Sequence, residues 1–253
     1  MKTRVIYGFI VGIIALVTIY FGGILFDALM AFIIFWGSFE FCKARRRKIN
    51  WFEYALMSLF CVLLIVKPTK SVALTLCLLV LLTTVAVFDE HVTFEDVCVT
   101  MLESVILGFA CQCAYDVVRF NKFILGYIVI NAMVTDVFAL FAGKLFGKHK
   151  LNERISPKKT IEGSIGGWLC GGVISFIYIY CLGFCGMEPS IFIIGSIILP
   201  LVGEVGDLTF SLIKRYYGVK DYSNLIPGHG GLLDRIDSTL FTLLIYGALT
   251  IFL

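Results

Sequence analysis

Charged residues are scarce in this sequence. Asp, Glu, Lys and Arg make up 15% of its 253 residues, whereas they make up about 25% of an ordinary soluble domain. Hydrophobic residues make up 59%, and the mean hydropathy is +0.95. Water is therefore not the main solvent of this chain, and its apolar runs approach the roughly 20 residues that cross a bilayer. We predict one integral membrane domain over residues 1–253, with few motifs in 1–122 and the motif-bearing helices and loops in 123–253.

Other features that would point to a different class of protein are also missing. The nine cysteines are odd in number and lie mostly in apolar runs, so we predict small packing residues rather than a disulfide framework. No small-x-small cleavage site follows the first apolar run, which favours a retained helix over a secretory signal. The sequence has no repeat, low-complexity tract or long linker, and no Walker motif supports a P-loop kinase. The formal net charge of +3 carries little information until the charges are placed along the chain. We expect no nucleic-acid partner.

The apolar runs predict an all-α, polytopic membrane protein with about nine transmembrane helices. The predicted spans are Val5–Phe21, Ile24–Cys42, Trp51–Val66, Val72–Phe88, Val97–Tyr115, Phe123–Phe146, Ile161–Cys185, Ile191–Leu212 and Leu232–Leu253.

The basic residues indicate how the helices are oriented. If the spans alternate, 17 of the 21 Lys and Arg residues fall on one side, and the positive-inside rule places that side, with the N-terminus, in the cytoplasm. The C-terminus is then outside. The basic cluster at residues 43–48 is interpreted as a topological anchor, with attraction of anionic lipid headgroups as the alternative.

Polar residues with catalytic potential gather in the second half of the chain. In the eighth span, Glu204, Asp207, Ser211 and Lys214 recur at helical spacing on one face. Ionisable groups at membrane depth normally face a polar interior or an ion path. A helix end that already lies among the headgroups is the alternative.

The loop after this span and the start of the last span add further polar groups. Three glycines surround His229 and permit a tight backbone near a ligand. Asp234 and Asp237 are three residues apart and share a helix face. Carboxylates are hard oxygen ligands suited to Mg²⁺, and the nearby Lys and Arg side chains can neutralise phosphate charge.

An earlier loop carries a second basic segment. Ser156 is predicted to cap a helix that begins at Pro157, with Lys158 and Lys159 in its first turn. Lysines are unfavourable at that end of a helix unless an anion binds there. The glycines that follow, at positions 166, 167, 171 and 172, are interpreted as sites of close helix packing.

Three blocks resemble a known family. The string SLIKRYYGVKDYSNLIPGHGGLLDRID, at Ser211–Asp237, is similar to the signature of the phosphatidate cytidylyltransferases, also called CDP-diglyceride synthases. The block SPKKTIEG at Ser156–Gly163 and the block at Asp136–Lys148 resemble that family in the same order. Together they cover roughly the last two-fifths of the chain.

The resemblance implies a function and its requirements. It implies transfer of a cytidylyl group from CTP to phosphatidate, with release of pyrophosphate and formation of CDP-diacylglycerol. It also implies Mg²⁺, a monovalent cation such as K⁺ near the metal, and a homodimer. We expect the site on the cytoplasmic face of a bacterial plasma membrane.

The resemblance also implies site residues at positions that match the family's blocks, and the individual roles of the basic residues are our own inference. The metal ligands are expected to be Asp207 and Asp234. The full set of expected catalytic residues is Asp207, Lys214, Arg215, Lys220, Asp221, His229, Asp234, Arg235 and Asp237. The expected substrate-binding residues are Asp136, Lys144, Ser156, Lys158, Lys159, Thr160, Glu162 and Ser211.

Two alternative functions remain at this point. One is a CTP-dependent cytidylyltransferase that acts on another lipid phosphate. The other is an ion-coupled transporter in which the acidic stripe of the eighth span forms the ion path. The absence of a half-chain repeat and the clustering of polar groups at one membrane face favour an enzyme.

Overall fold

The computed structural model describes residue 15 and residues 17–45, 49–225 and 230–252, and it has an all-α architecture with one small hairpin. Its helices are α1 (Gly23–Ala44), α2 (Trp51–Val66), α3 (Ser71–Phe88), α4 (Phe94–Phe146), α5 (Ile161–Cys181), α6 (Pro189–Tyr216) and α7 (Leu233–Phe252). The strands β1 (Lys150–Asn152) and β2 (Ser156–Thr160) pair antiparallel between α4 and α5. The predicted fold class, an all-α polytopic membrane protein, is confirmed.

The number of spans is not confirmed as nine. Within the described residues, six helices are long and apolar enough to cross a membrane, and α2 is a shorter apolar helix. The first predicted span, Val5–Phe21, lies mostly outside the described residues. The predicted span Ile161–Cys185 ends at Cys181, and α6 extends beyond the predicted Leu212 to Tyr216.

Helix α4 accounts for two predicted spans because it is broken in the middle. It contains 53 residues, which would measure about 80 Å as a straight helix and exceed a bilayer core of about 30 Å. At Asn121 the backbone is extended, with φ −160° and ψ 114°. The Asn121 side chain then accepts a hydrogen bond from Phe123 N at 3.0 Å and caps the second half.

The predicted helix start at Pro157 is wrong. Residues Ser156–Thr160 form β2, in which Thr160 lies opposite Lys150, and α5 begins only at Ile161. The Thr160 hydroxyl accepts a hydrogen bond from Gly163 N at 3.2 Å, so Thr160 and not Ser156 caps the helix. The two lysines of the predicted first turn therefore lie on a strand that leads into the helix.

The glycines of α5 pack directly against the second half of α4. A Cβ atom on Gly167 would lie 2.6 Å from the backbone oxygen of Thr135 and 2.8 Å from Ala139 Cβ. One on Gly171 would overlap Thr135 Oγ1. The predicted close packing is confirmed, and it brings the start of α5 and the hairpin beside Asp136 of α4.

The basic cluster after α1 contributes a buried residue rather than only a surface charge. The Arg45 guanidinium lies 2.6 Å from Glu53 of α2 and 2.8 Å from Glu103 of α4, and its side chain is 2% exposed. The anchor and headgroup interpretations are therefore wrong for Arg45, because its charge is neutralised inside the bundle. Residues 46–48 lie outside the described residues.

Candidate functional site

One cavity of about 440 Å³ lies between the second half of α4, the hairpin, α5, α6 and the start of α7. Its lining contains carboxylates and cations in nearly equal numbers. The carboxylates are Asp136, Glu204, Asp207, Asp221, Asp234 and Asp237. The cations are Lys144, Lys158, Lys159, Lys214 and Arg235. Such a lining suits a ligand that carries both signs of charge, such as a polyphosphate together with a metal cation.

Asp234 is held in this cavity by three hydrogen bonds. Its Oδ1 accepts a hydrogen bond from Lys214 Nζ at 2.6 Å. Its Oδ2 accepts hydrogen bonds from the backbone N–H groups of Tyr222 and Gly231, each at 2.9 Å. Gly230 has a φ of +88°, which turns the chain so that the loop can fold around the carboxylate.

Asp207 lies on α6 and pairs with the hairpin. Lys159 Nζ is 2.6 Å from Asp207 Oδ2, and the two side chains are 24% and 27% exposed. Ser211, one turn further along α6, donates a weak hydrogen bond to Asp207 Oδ1 at 3.4 Å. A pair with this much exposure is screened by water, so a ligand can compete for either partner.

Asp136 and Asp237 are joined through a serine. Ser238 Oγ donates to Asp136 Oδ2 at 2.9 Å, and Ser238 N donates to Asp237 Oδ1 at the same distance. Asp136 belongs to α4 and the other two residues to α7. This link holds two acidic residues of the cavity in place from different helices.

Glu204 is a cavity residue that the assignment of site residues missed. It lies one turn before Asp207 on α6, and its Oε2 accepts a hydrogen bond from Ser164 of α5. Its Oε1 is buried and has no hydrogen-bond partner within the described part of the chain. The helical spacing that groups Glu204 with Asp207 was the available signal.

Thr160 also lines the cavity, but five other predicted site residues do not line it within the described ranges. Glu162 accepts hydrogen bonds from Lys148 N at 3.0 Å and from the His149 backbone, and so closes the hairpin onto α5. Arg215 Nη1 donates to Val219 O at 3.1 Å. The five residues are Ser156, Glu162, Ser211, Arg215 and Lys220. His229 lies outside the described residues.

Tyr222, in the loop between α6 and α7, supports the back of the site. Its phenol is buried and donates to Phe210 O at 3.3 Å. Burial, together with the charges of Glu103 and Asp234, raises the pKa of Tyr222 above its ordinary value. The phenol therefore stays neutral at pH 7 and acts as a hydrogen-bond donor.

The donor chemistry of the cavity fits Mg²⁺, although the protein supplies few ligands at one point. The described residues contain no group of three or more His, Cys, Asp or Glu side chains positioned to hold a metal. Mg²⁺ usually takes only one or two carboxylates and completes its shell with phosphate oxygens and water. Asp207 and Asp234 line the same cavity, as the sequence suggested, and their role as metal ligands stays a prediction.

A second, apolar cavity of about 440 Å³ adjoins the polar one. Asp136 and Arg235 belong to the linings of both cavities. The apolar part is formed by side chains of α1, α4 and α7, among them Met30, Met133 and Leu240. The shared residues therefore place a charged lining beside an apolar one, which is an amphipathic arrangement.

Comparison with known proteins points to one family. The model of the cytidylyltransferase family matches residues 2–253. The phosphatidate cytidylyltransferase of Staphylococcus aureus (strain COL) is 38% identical over 151 residues, which cover 60% of this chain and 58% of that protein. That of Bacillus subtilis (strain 168) is 30% identical over 258 residues, covering 96% of this chain and 95% of the relative. The match thus spans little more than half of the first relative and nearly all of the second.

Proposed function

Because the chain belongs to the cytidylyltransferase family, we propose that it transfers the cytidylyl group of CTP to phosphatidate, forming CDP-diacylglycerol and releasing pyrophosphate. The observation that carries this proposal is the amphipathic site. A cavity of mixed charge meets an apolar cavity at Asp136 and Arg235. Phosphatidate has the same division, with a phosphate at one end and acyl chains at the other.

The charges of the polar cavity support a nucleotide triphosphate. Lys144, Lys158 and Lys159 are positioned to neutralise phosphate oxygens. The carboxylates beside them would repel a bare polyanion. Mg²⁺ held by Asp207 and Asp234 would remove that repulsion and neutralise the triphosphate. A monovalent cation such as K⁺ is a further proposal from the family resemblance.

The reaction proposed is an in-line displacement at the α-phosphorus of CTP. A phosphate oxygen of phosphatidate forms a new P–O bond while the bond from the α-phosphorus to the bridging oxygen breaks, and pyrophosphate leaves. The attacking phosphate monoester is already anionic, so it needs little help from a general base. Catalysis then depends on positioning and on charge neutralisation. Arg235, at the junction of the cavities, is placed to hold the lipid phosphate.

The apolar cavity gives the acyl chains a place beside the reacting phosphate. Its lining comes from α1, α4 and α7, which are long and apolar enough to cross the membrane, so a lipid could enter sideways from the bilayer. CTP is water-soluble and would enter from the aqueous end. The two substrates thus meet where the linings of the two cavities join.

We place the site on the cytoplasmic face of a bacterial plasma membrane, and we propose a homodimer from the resemblance. A variant without native cysteines tests the orientation. A cysteine at Asn224 should react with an impermeant maleimide only after the cells are permeabilised, whereas one at Lys70, in the predicted outer loop, should react in intact cells. Labelling of Asn224→Cys in intact cells would reverse the proposed topology.

The activity is tested with the purified protein in detergent, CTP carrying a labelled cytosine, Mg²⁺ and phosphatidate. We expect equal amounts of pyrophosphate and labelled CDP-diacylglycerol in the lipid extract. Parallel reactions with a polyprenyl phosphate and with an archaeol-type lipid phosphate test other acceptors. Labelling of one of those lipids with none of phosphatidate would assign a different acceptor. No labelled lipid in any reaction would contradict the proposed enzyme class.

A further inference from the structure

Glu40 of α1 is a fully buried carboxylate in the half of the chain that carries no recognisable motif. Its relative exposure is 0%. It lies one turn from Trp36, whose indole Nε1 donates to Glu40 Oε1 at 3.0 Å. A buried carboxylate is costly unless several donors satisfy it. The donors that satisfy Glu40 come mainly from the far end of the sequence.

Three of these donors belong to the segment that leads into α7. The Ser223 hydroxyl donates to Glu40 Oε1 at 2.5 Å. The backbone N–H of Leu232 donates to the same oxygen at 2.9 Å, and that of Leu233 donates to Oε2 at 2.8 Å. Leu233 is the first residue of α7. Glu40 therefore caps α7 from another helix, where a negative charge is favoured by the free N–H groups.

The loop is shaped to let this carboxylate approach. A Cβ atom on Gly231 would lie 2.5 Å from Glu40 Oε1 and 2.7 Å from its Oε2. Any side chain at that position would displace the carboxylate. The glycine in the GGLLD string thus permits a close contact with α1, in addition to the turn that the string predicts.

Hydrogen bonds connect the residues at the start of α7 to residues that line the polar cavity. Gly231 N donates to Asp234 Oδ2 at 2.9 Å, and Arg235 N donates to Leu232 O at 2.9 Å. Both Asp234 and Arg235 line the polar cavity. The positions of these two side chains therefore depend on where α7 begins, and Glu40 fixes that point.

We propose that Glu40 is a positioning residue of the cytidylyl-transfer site, which holds Asp234 and Arg235 in register by capping α7 across the bundle. This inference rests on the proposed function. Glu40 touches neither substrate in this account. Its effect is on turnover, because a displacement of about 1 Å at a reacting centre can cost about 100-fold in rate.

The test compares Glu40→Gln with Glu103→Gln in the full-length protein. Gln keeps the volume but replaces one accepting oxygen with an N–H₂ donor that faces the backbone donors. Glu103 is also fully buried, but it pairs with Arg45, and within the described residues no hydrogen bond joins it to the start of α7. Two quantities are measured: amide hydrogen exchange at Leu232 and Leu233, and kcat and KM for CTP.

We expect Glu40→Gln to exchange these two amides about 10- to 100-fold faster than the parent, since one amide loses its acceptor and the other keeps only a neutral one. We expect kcat to fall at least about tenfold, with KM for CTP within about twofold because the hairpin lysines are untouched. Glu40→Asp keeps the charge and should recover part of kcat. Glu103→Gln should leave the exchange of the two amides unchanged.

Parental exchange and parental kcat in Glu40→Gln would overturn the inference, and so would an equal effect of Glu103→Gln on the two amides. If Glu40→Gln fails to accumulate, Ser223→Ala removes one hydrogen-bond donor to Glu40. Amide exchange and kcat are then measured for this variant in the same way. If the parent protein lacks cytidylyl transfer, the exchange experiment still tests the cap, so failure of the proposed function is distinguishable.

Discussion

The ammonium group of Lys214 lies 2.6 Å from Asp234 Oδ1, and the two side chains are only 9% and 4% exposed. This pair joins the end of α6 to the start of α7 inside the polar cavity. Lys214 is therefore a poor candidate for a mobile phosphate ligand. Its first effect is to neutralise a buried carboxylate, which leaves only the remaining N–H bonds of its ammonium group for a ligand.

Lys214→Met should destabilise the protein, because it leaves the Asp234 carboxylate buried without its partner. Breaking a buried pair in this way costs about 3–5 kcal/mol. The double variant Lys214→Met/Asp234→Asn removes the unpaired charge and should recover part of that loss without recovering turnover. Thermal unfolding in detergent and the rate of CDP-diacylglycerol formation measure the two effects. A Lys214→Met variant as stable as the parent would show that the pair contributes no stability.

Asp207→Asn and Asp234→Asn should each lower kcat/KM about 100-fold or more, equivalent to about 2.7 kcal/mol. Each keeps the volume of the side chain but removes a hard anionic ligand. Asp221→Asn is the matched control, since Asp221 lines the same cavity but is exposed in the loop, and its loss should be smaller. Turnover is measured across a Mg²⁺ titration. Near-parental activity in both variants would leave the proposed metal centre without support.

Lys158→Ala should raise KM for CTP several-fold and change kcat little. Lys158 lies on β2, is exposed and lines the cavity, so it is expected to hold a phosphate in the ground state and the transition state alike. Lys148→Ala is the control, because Lys148 is an exposed lysine just before the hairpin. Initial rates at varied CTP separate the two parameters. An equal rise in KM in both variants would indicate a general effect of surface charge.

Gly167→Ala should destabilise the bundle and lower turnover together. The added methyl group would lie 2.6 Å from the Thr135 backbone oxygen, which cannot move without shifting α4, and overpacking of this kind costs about 1–3 kcal/mol. Gly37→Ala is the matched control, because its added methyl group meets only side-chain atoms at 3.4 Å or more. Thermal unfolding of the two variants is compared. An unchanged midpoint for Gly167→Ala would argue against close packing of α4 and α5.

The sequence predicted several features because their causes are local. Apolar runs of sufficient length fix the all-α membrane class, since backbone groups in lipid must bond within their own helix. The spacing of Glu204 and Asp207 places them on one face of α6. The Gly residues of α5 indicated close packing through their size alone.

Other local predictions failed where a neighbouring segment competed. The sequence predicted a helix start at Ser156 and Pro157. Pairing with β1 keeps these residues extended, so Thr160 caps the helix instead. The sequence indicated that Arg45 is one charge of a surface cluster. Its side chain is instead buried in the bundle, where it pairs with two buried glutamates. A strand partner or a counter-ion from elsewhere in the chain decides such cases.

The sequence by itself determined the class of the protein, the helices that carry its acids and bases, and the family resemblance of its second half. Only the tertiary structure shows which of those groups share a cavity. It also shows that Glu40 caps the helix that carries several of them. Glu40 and Leu233 are 193 positions apart, and no periodicity in either segment records their contact. The physical reason is that hydrophobic spacing reports which face of a helix is buried, whereas the partner of a buried carboxylate is set only when the helices pack.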